Sequence, residues 1–513
     1  MAPPRKQILQ ATFDECVAEN VADFDMSLEE ATADAVRQFE SQGVDLANII
    51  KTSGGGQEPL SQRLQQLLAD LRECLDGKKA HKNVLDVVAE LQSVCDTVPE
   101  SRVVSGRNGA VDTLLTLLDT DSGAVIASCS TLLVLLCAEN RDNQDGVGVA
   151  GMHRLVTVLQ REWKDAEQTV VCVLALVKAA CSKHESNKAH FAKTGGVQVL
   201  CSYFDQANGD EAMSMALAQC LRVLTINDDP RATFSQAQDT IRVLVERDVI
   251  SYCSDILRRG GRSATAQVST LSLDLLVNWL AVLAQVAVTK ENCQQIADLD
   301  GLTTVRKVMR EYGDSASVAN RCIKLFRNVA AADELKRVIL QSGCVEQTLL
   351  IMRRYEPNAS IQQNACATLA AVALRSPENS RALVELGAIR QISRAMQVHD
   401  KDVSVLRQAS LAVRNMVARN VELRSRFLHD EPKLESLLRE AQQYRGCGDE
   451  AYAALRDLGC DIQLSSFGIN AAATTGSISA STTKLCFNPV QLQSNELLDS
   501  VEEVSEDAPF ARQ

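Results

Sequence analysis

Between Leu60 and Gly459 apolar residues recur at the three- and four-residue steps of a helix, interrupted by short polar turns. Val318, Cys322, Leu325, Phe326 and Val329, spaced 4, 3, 1 and 3, predict a helix with one apolar face. A short apolar helix repeatedly ends at one slot, occupied by Gly109, Gly151, Gly195, Asp300, Gly343, Gly387 and Glu431. Differences between those residue numbers are 42, 44, 105, 43, 44 and 44. The step of 105 equals two periods plus about 18 residues, which predicts a degenerate repeat with its slot near Asp248 and longer connections around 228–247 and 258–266.

Two further positions keep the same register. Val147, Phe191, Ile296, Ile339, Leu383 and Phe427 stand four residues before the slot, and Asn143, Asn187, Asn292 and Asn379 stand eight before it. Gly suits a left-handed helix end, and the apolar residue one turn earlier packs inward. The asparagines are expected to cap helix starts by accepting a bond from an orphan backbone N–H, with Pro377 in the first turn behind Ser376. About 10 residues of helix follow each slot, then a polar break and a helix of about 15. Helices this short cannot bury their apolar faces alone, so neighbouring units must stack into an all-α solenoid.

The pattern changes at both ends. Residues 1–52 read as an N-terminal helical extension, with capping-box forms at Thr12-x-x-Glu15 and Ser27-x-x-Glu30. Residues 53–59, containing Gly54, Gly55 and Gly56, read as a linker and 60–462 as the repeat array. Residues 463–513 form an acidic tail that is expected to be mostly disordered, because Ala, Ser, Thr and Gly dominate from Gly468 to Thr483. Its last stretch, LQSNELLDSVEEVSEDAPF, sets apolar residues among acids and fits either an inducible helix or a solvated tail.

Composition sharpens this picture. Apolar residues make up 46% of the 513 and aromatics 4%, so the core must be built from Leu, Val, Ile and Ala. The 17 cysteines are scattered singly with no C-x-x-C pair, as buried free thiols in a reducing compartment would be. Neither a signal leader nor an apolar run of about 18 residues is present, so a cytosolic protein with nuclear access and no membrane contact is expected. Of the net charge of −13, residues 1–52 carry −6 (10 acids, 4 bases) and residues 461–513 carry −5 (7 acids, 2 bases). The nearly neutral middle disfavours nucleic acid as a partner.

The phrases QATFDECVAENVADF, VRQFESQGVDLANIIKT, LRVLTINDD, ENCQQIADLDGL and ALRDLGC resemble the armadillo repeat-containing protein 6 family over about 450 residues. That resemblance implies a right-handed armadillo superhelix, here of about 8–9 repeats, in a cytosolic protein, and no established activity. In armadillo proteins the third helix of each repeat lines the concave groove, where a recurrent Asn holds an extended peptide. Stepping by the period gives Leu136, Ala180, Thr225, Gln285, Asn328, Ala371 and Asn415, so only two are Asn. The Trp of nuclear-import adaptors is replaced one turn earlier by Leu132, Leu176, Leu221, Ala281, Lys324, Ala367 and Leu411. Basic residues stand there instead. Arg321, Lys324, Arg327 and Arg414 around Asn328 and Asn415 are therefore the candidate partner-binding residues, for an acidic or extended protein segment. The acidic tail is a candidate for occupying the same groove, and the acidic ends together for regulating what binds there.

Catalytic and metal chemistry find little footing. Gly146-x-Gly148-x-x-Gly151 matches a dinucleotide fingerprint by letters, but no strand precedes it. Cys181, His184 and His190 lack a fourth ligand at a metal-like spacing. The expected function is a non-catalytic scaffold or adaptor for other proteins, without cofactor or metal. The alternatives are a nuclear-transport or nucleic-acid-associated adaptor, and an enzyme whose site the motifs do not reveal.

Overall fold

The computed structural model describes residues 6–46, 49–51, 60–75, 81–161, 167–260 and 272–461. The expected linker at 53–59 and tail at 463–513 lie outside them. Among the described residues every regular element is helical, with one isolated bridge between Lys6 and Val44.

The N-terminal piece pairs α1 (Gln10–Phe24) with α2 (Leu28–Ser41). Phe13 and Val17 meet Ala31 and Ala35 in a small core that Val44, Leu46 and Ile49 complete. Ser27 and Glu30 make the predicted capping box. The box at Thr12 does not form, because α1 already starts at Gln10 and places Thr12 inside its first turn.

The array opens with a two-helix repeat, α3 (Leu60–Leu75) and α4 (His81–Thr97). Full repeats follow as α5 (Pro99–Arg107), α6 (Ala110–Leu117) and α7 (Gly123–Cys137), then α8 (Arg141–Gln160) with α9 (Glu167–Cys181). Next come α10 (Glu185–Lys193), α11 (Gly196–Ser202) and α12 (Glu211–Leu224), then α13 (Ala237–Glu246), α14 (Val249–Gly260) and α15 (Leu273–Val286). Three more are α16 (Lys290–Asp298), α17 (Gly301–Glu311) and α18 (Ala316–Val329); α19 (Lys336–Gln341), α20 (Cys344–Arg354) and α21 (Ala359–Ala373); and α22 (Pro377–Glu385), α23 (Ala388–Val398) and α24 (Val403–Val417). The last is α25 (Leu423–Asp430), α26 (Leu434–Ala441) and α27 (Gly448–Leu458).

Each third helix packs on the next, in the order α4, α7, α9, α12, α15, α18, α21, α24, α27. This ladder of long helices packs more closely than the ladder of shorter second helices. One apolar core runs without a break from Ile50 to Leu458. Stacking is what makes that core possible, since no repeat encloses its own apolar face.

The slot is left-handed at Gly109, Gly195, Gly343 and Gly387 and also at Asp300 and Asp248, the last being the degenerate repeat expected there. Two positions depart from the expectation. In α8 the break falls at Gly148, with φ 46°, and Gly151 stays helical; a Cβ there would lie 2.8 Å from Val147 Cγ1 and 3.0 Å from Leu115 Cδ1. Gly151 therefore serves close packing. At Glu431 φ is −134°, so α25 closes without a left-handed residue.

The asparagines eight before the slot correct the capping expectation. The caps stand three residues earlier, as Asn140, His184, Thr289 and Ser376, and each accepts from the backbone N–H of the asparagine. The asparagine side chains donate instead. Asn187 Nδ2 bonds Ala180 O at 2.9 Å and Gln144 O at 2.8 Å, and Asn143 Nδ2 bonds Leu136 O at 2.7 Å and Arg102 O at 3.1 Å. Asn292 reaches Val286 O and Asn379 reaches Val372 O. Each bonds a carbonyl at the end of the preceding third helix, of which Val286 O also accepts from Val288 N at 2.8 Å, and this clamps one repeat to the next. In the ninth repeat Asn420 does this from another position, bonding Met416 O and Pro377 O.

The longer connection after α12 is held by charge. Buried Lys188 donates to Ile226 O at 2.7 Å and pairs with Asp228, while Asp229 accepts from the N–H groups of Glu185 and Arg231 and from Arg141. Burial works against the Asp229 carboxylate, but those donors together hold its carboxyl below the usual 3.8.

Candidate functional site

Four of the six candidate residues, Arg321, Lys324, Arg327 and Asn328, project from α18, and Arg414 and Asn415 project from α24. All six are half-buried on the ladder of third helices. Between them lies α21, which contains no charged residue and presents the half-buried Ala367 and Ala371, with Leu374 at its C-cap. Neither α18 nor α24 contains a carboxylate, so a neutral trough with small side chains is bordered by a cationic helix on each side.

Side chains stitch this face together. Asn328 Nδ2 donates to Ala284 O at 2.8 Å and Asn415 Nδ2 to Ala370 O at 2.9 Å, both across to the preceding third helix. An N–H of each amide is thereby spent inside the fold, which corrects the picture of asparagines that offer their whole amide to a bound peptide. Arg327 Nη1 donates to Asn364 Oδ1 at 3.0 Å, and Asn364 Nδ2 donates to Asn320 Oδ1 at 2.9 Å. Stepping along the series of asparagines did not find Asn320 or Asn364. Their separation of 44 residues, one full period, was the available signal.

The α24 side is partly neutralised from within. Arg407 Nε lies 2.8 Å from Glu450 Oε1 and Arg414 Nε 3.8 Å from Asp457 Oδ2, both acids standing on α27. On the α18 side Arg327 also reaches Asn328 Oδ1, and α18, α21 and α24 themselves contain no Asp or Glu. Farther along the ladder, burial and then the nearby Arg222 guanidinium pull the Lys178 ammonium below its ordinary range, and its Nζ donates to Gln219 Oε1 at 2.9 Å. At the early repeats the stepping overshoots by one residue: Leu136 and Ala180 are fully buried, while Leu135 and Ala179 are the half-buried neighbours.

The residues weighed for other chemistry have structural work. His184 accepts from Asn187 N and bonds Asp145 Oδ1 at 2.7 Å, and His190 bonds Ser186. Cys181 is fully buried and burial pushes its thiol far up. Among the described residues no group of three or more His, Cys, Asp or Glu could hold a metal ion. The Gly146–Gly151 fingerprint lies inside α8, where no strand leads into it.

Against known proteins, residues 64–472 match the family model described as ARMC6, and residues 5–66 match the model of the armadillo repeat-containing protein 6 N-terminal domain. The chain is 32% identical over 401 residues to armadillo repeat-containing protein 6 of Pongo abelii, covering 73% of this chain and 75% of that one. The Drosophila melanogaster homolog is 28% identical over 386 residues, with coverage of 74% and 80%. Among solved structures, one from work on a phosphorylation switch controlling the interaction between cadherin and β-catenin superposes with a TM-score of 0.54 at 15% identity, covering 77% of this chain and 68% of that one. An engineered protein superposes with a TM-score of 0.53 at 16% identity, covering 78% and 99%.

Proposed function

Because the chain belongs to the armadillo repeat-containing protein 6 family, we propose that it is a non-catalytic scaffold whose third-helix face binds an acidic segment of another protein. The observation that carries this reading is the uncharged trough of α21 beside Arg321, Lys324 and Arg327, with no carboxylate on α18, α21 or α24. Small side chains allow a ligand backbone to approach, and one sign of charge selects the opposite sign. A structural neighbour drawn from the cadherin and β-catenin interaction supports a protein partner in general terms. A reducing compartment such as the cytosol suits the sixteen free thiols among the described residues.

The test uses a fluorescein-labelled acidic amphipathic peptide, an idealised Glu/Leu 20-mer, and the R321E/K324E chain. Binding by anisotropy should weaken at least tenfold in the variant and weaken with added salt. Equal affinity for the native chain and the variant would sink the proposal. Arg414 is left alone, because reversing it would repel Asp457 and disturb α27.

A further inference from the structure

The last described helix, α27, packs on α24, α24 on α21, and α21 on α18. The chain therefore leaves the array beside the trough, three helix steps or about 30 Å from α18. From Asp461 to Glu496 there are 35 residues, with a maximum reach of about 115 Å. The segment that follows, 496–507, reads ELLDSVEEVSED. It carries six carboxylates, and no Lys or Arg occurs from 485 to 511.

Its pattern matches the trough. At helical spacing Leu497, Val501 and Val504 share one face with Leu498 at its edge, and Glu496, Asp499, Glu503 and Glu506 fall on the other. An apolar stripe backed by acids is complementary to an alanine-lined floor beside cations. Resting on the acidic-ligand reading above, we propose that segment 496–507 of this same chain occupies the α18–α21–α24 face and competes there with the outside partner. The tether raises the local concentration of the segment to the millimolar range, so even a weak contact in trans becomes an effective competitor in cis.

The experiment compares the native full chain with a full chain carrying E496Q/D499N/E502Q/E503Q/E506Q/D507N. The probe is a labelled synthetic peptide of residues 485–511. It should bind the neutralised chain about tenfold tighter or more than the native chain, and adding R321E/K324E to the neutralised chain should abolish that binding. Equal affinity for the native and neutralised chains overturns the inference. Binding of the Glu/Leu peptide separates the two readings. If that peptide binds both chains equally and loses affinity with R321E/K324E, the face is an acidic-ligand site that the segment does not occupy. If neither peptide binds the neutralised chain, both readings fall. Circular dichroism checks each variant, with R321Q/K324Q replacing any reversal that loses helicity.

Discussion

Replacing Asn187 by Ala removes the two donors that hold Ala180 O and Gln144 O, both in a site where Asn187 is 1% exposed. A net hydrogen bond contributes roughly 1 kcal/mol, and a buried carbonyl left without a partner costs about 1–3 kcal/mol. Two lost bonds therefore give an expected loss of about 2–4 kcal/mol. Asn292 makes a single such bond, to Val286 O, which keeps a partner in Val288 N, so Asn292→Ala should cost less than half as much. Asn187→Asp should be at least as damaging as Asn187→Ala, because a carboxylate would then face two carbonyl oxygens. Urea unfolding followed by circular dichroism measures the stability. Hydrogen exchange at the C-terminal turn of α9, with the end of α7 that Asn143 holds as the control, shows whether the loss is local to the clamp. If Asn187→Ala and Asn292→Ala each cost under about 0.5 kcal/mol, or cost the same, the clamp assignment is wrong.

Three other outcomes are expected. Trp279, fully buried, donates to Ser214 Oγ at 3.0 Å and meets the Tyr252 ring edge-on at 5.1 Å; Trp279→Ala should cost about 3–5 kcal/mol in the same unfolding assay, and a loss below about 1 kcal/mol would show that the site collapses freely. Because the folded Asp229 carboxyl titrates below its ordinary 3.8, its contribution is present above that value and lost as pH falls through the depressed one; hydrogen exchange over 225–236 should therefore quicken below about pH 3.8, and in Asp229→Asn this acid step should be absent. Among the described cysteines, Cys16, Cys172 and Cys460 should react with a disulfide reagent at pH 8 in the native protein, Cys201, pushed up to about 11 by burial, should lag, and the twelve buried thiols, such as Cys129 and Cys137 pushed up to about 12, should wait for unfolding; rapid labelling of the buried set would refute their placement.

The fold was legible because one period repeats the same physical problem. The apolar residue four before the slot is buried at Val147, Phe191, Ile296, Ile339, Leu383 and Phe427, and the degenerate repeat does turn left-handed at Asp248. What the letters could not show is which end of an amide works. An Asn at a helix start fits a cap, yet whether it accepts or donates depends on carbonyls contributed by another repeat, 43 residues away for Asn187 and Gln144. The candidate cations were visible as letters, whereas the acids on α27 that meet Arg407 and Arg414 became neighbours only through stacking. A one-residue drift at Leu136 and Ala180 has a similar origin, since connections of unequal length shift the register of a third helix.

The clamps are not evenly distributed. Leu335 stands where the clamping asparagine would tie the seventh repeat to the end of α18, and a leucine side chain has no donor. Between the third helices the same pair of repeats is fastened by Asn364 on Asn320 and by Thr368 Oγ1 on Ile323 O. Away from the third helices the ties are of other kinds, Lys290 to Glu334, Arg354 to Asp314 and Tyr355 Oη donating to Gly313 O at 2.9 Å. The joint beneath the cationic helix and the alanine floor is thus held by ion pairs and a tyrosine hydroxyl where its neighbours, at Asn292 and Asn379, use a buried amide, so salt and charge-changing substitutions reach this joint more readily than the others.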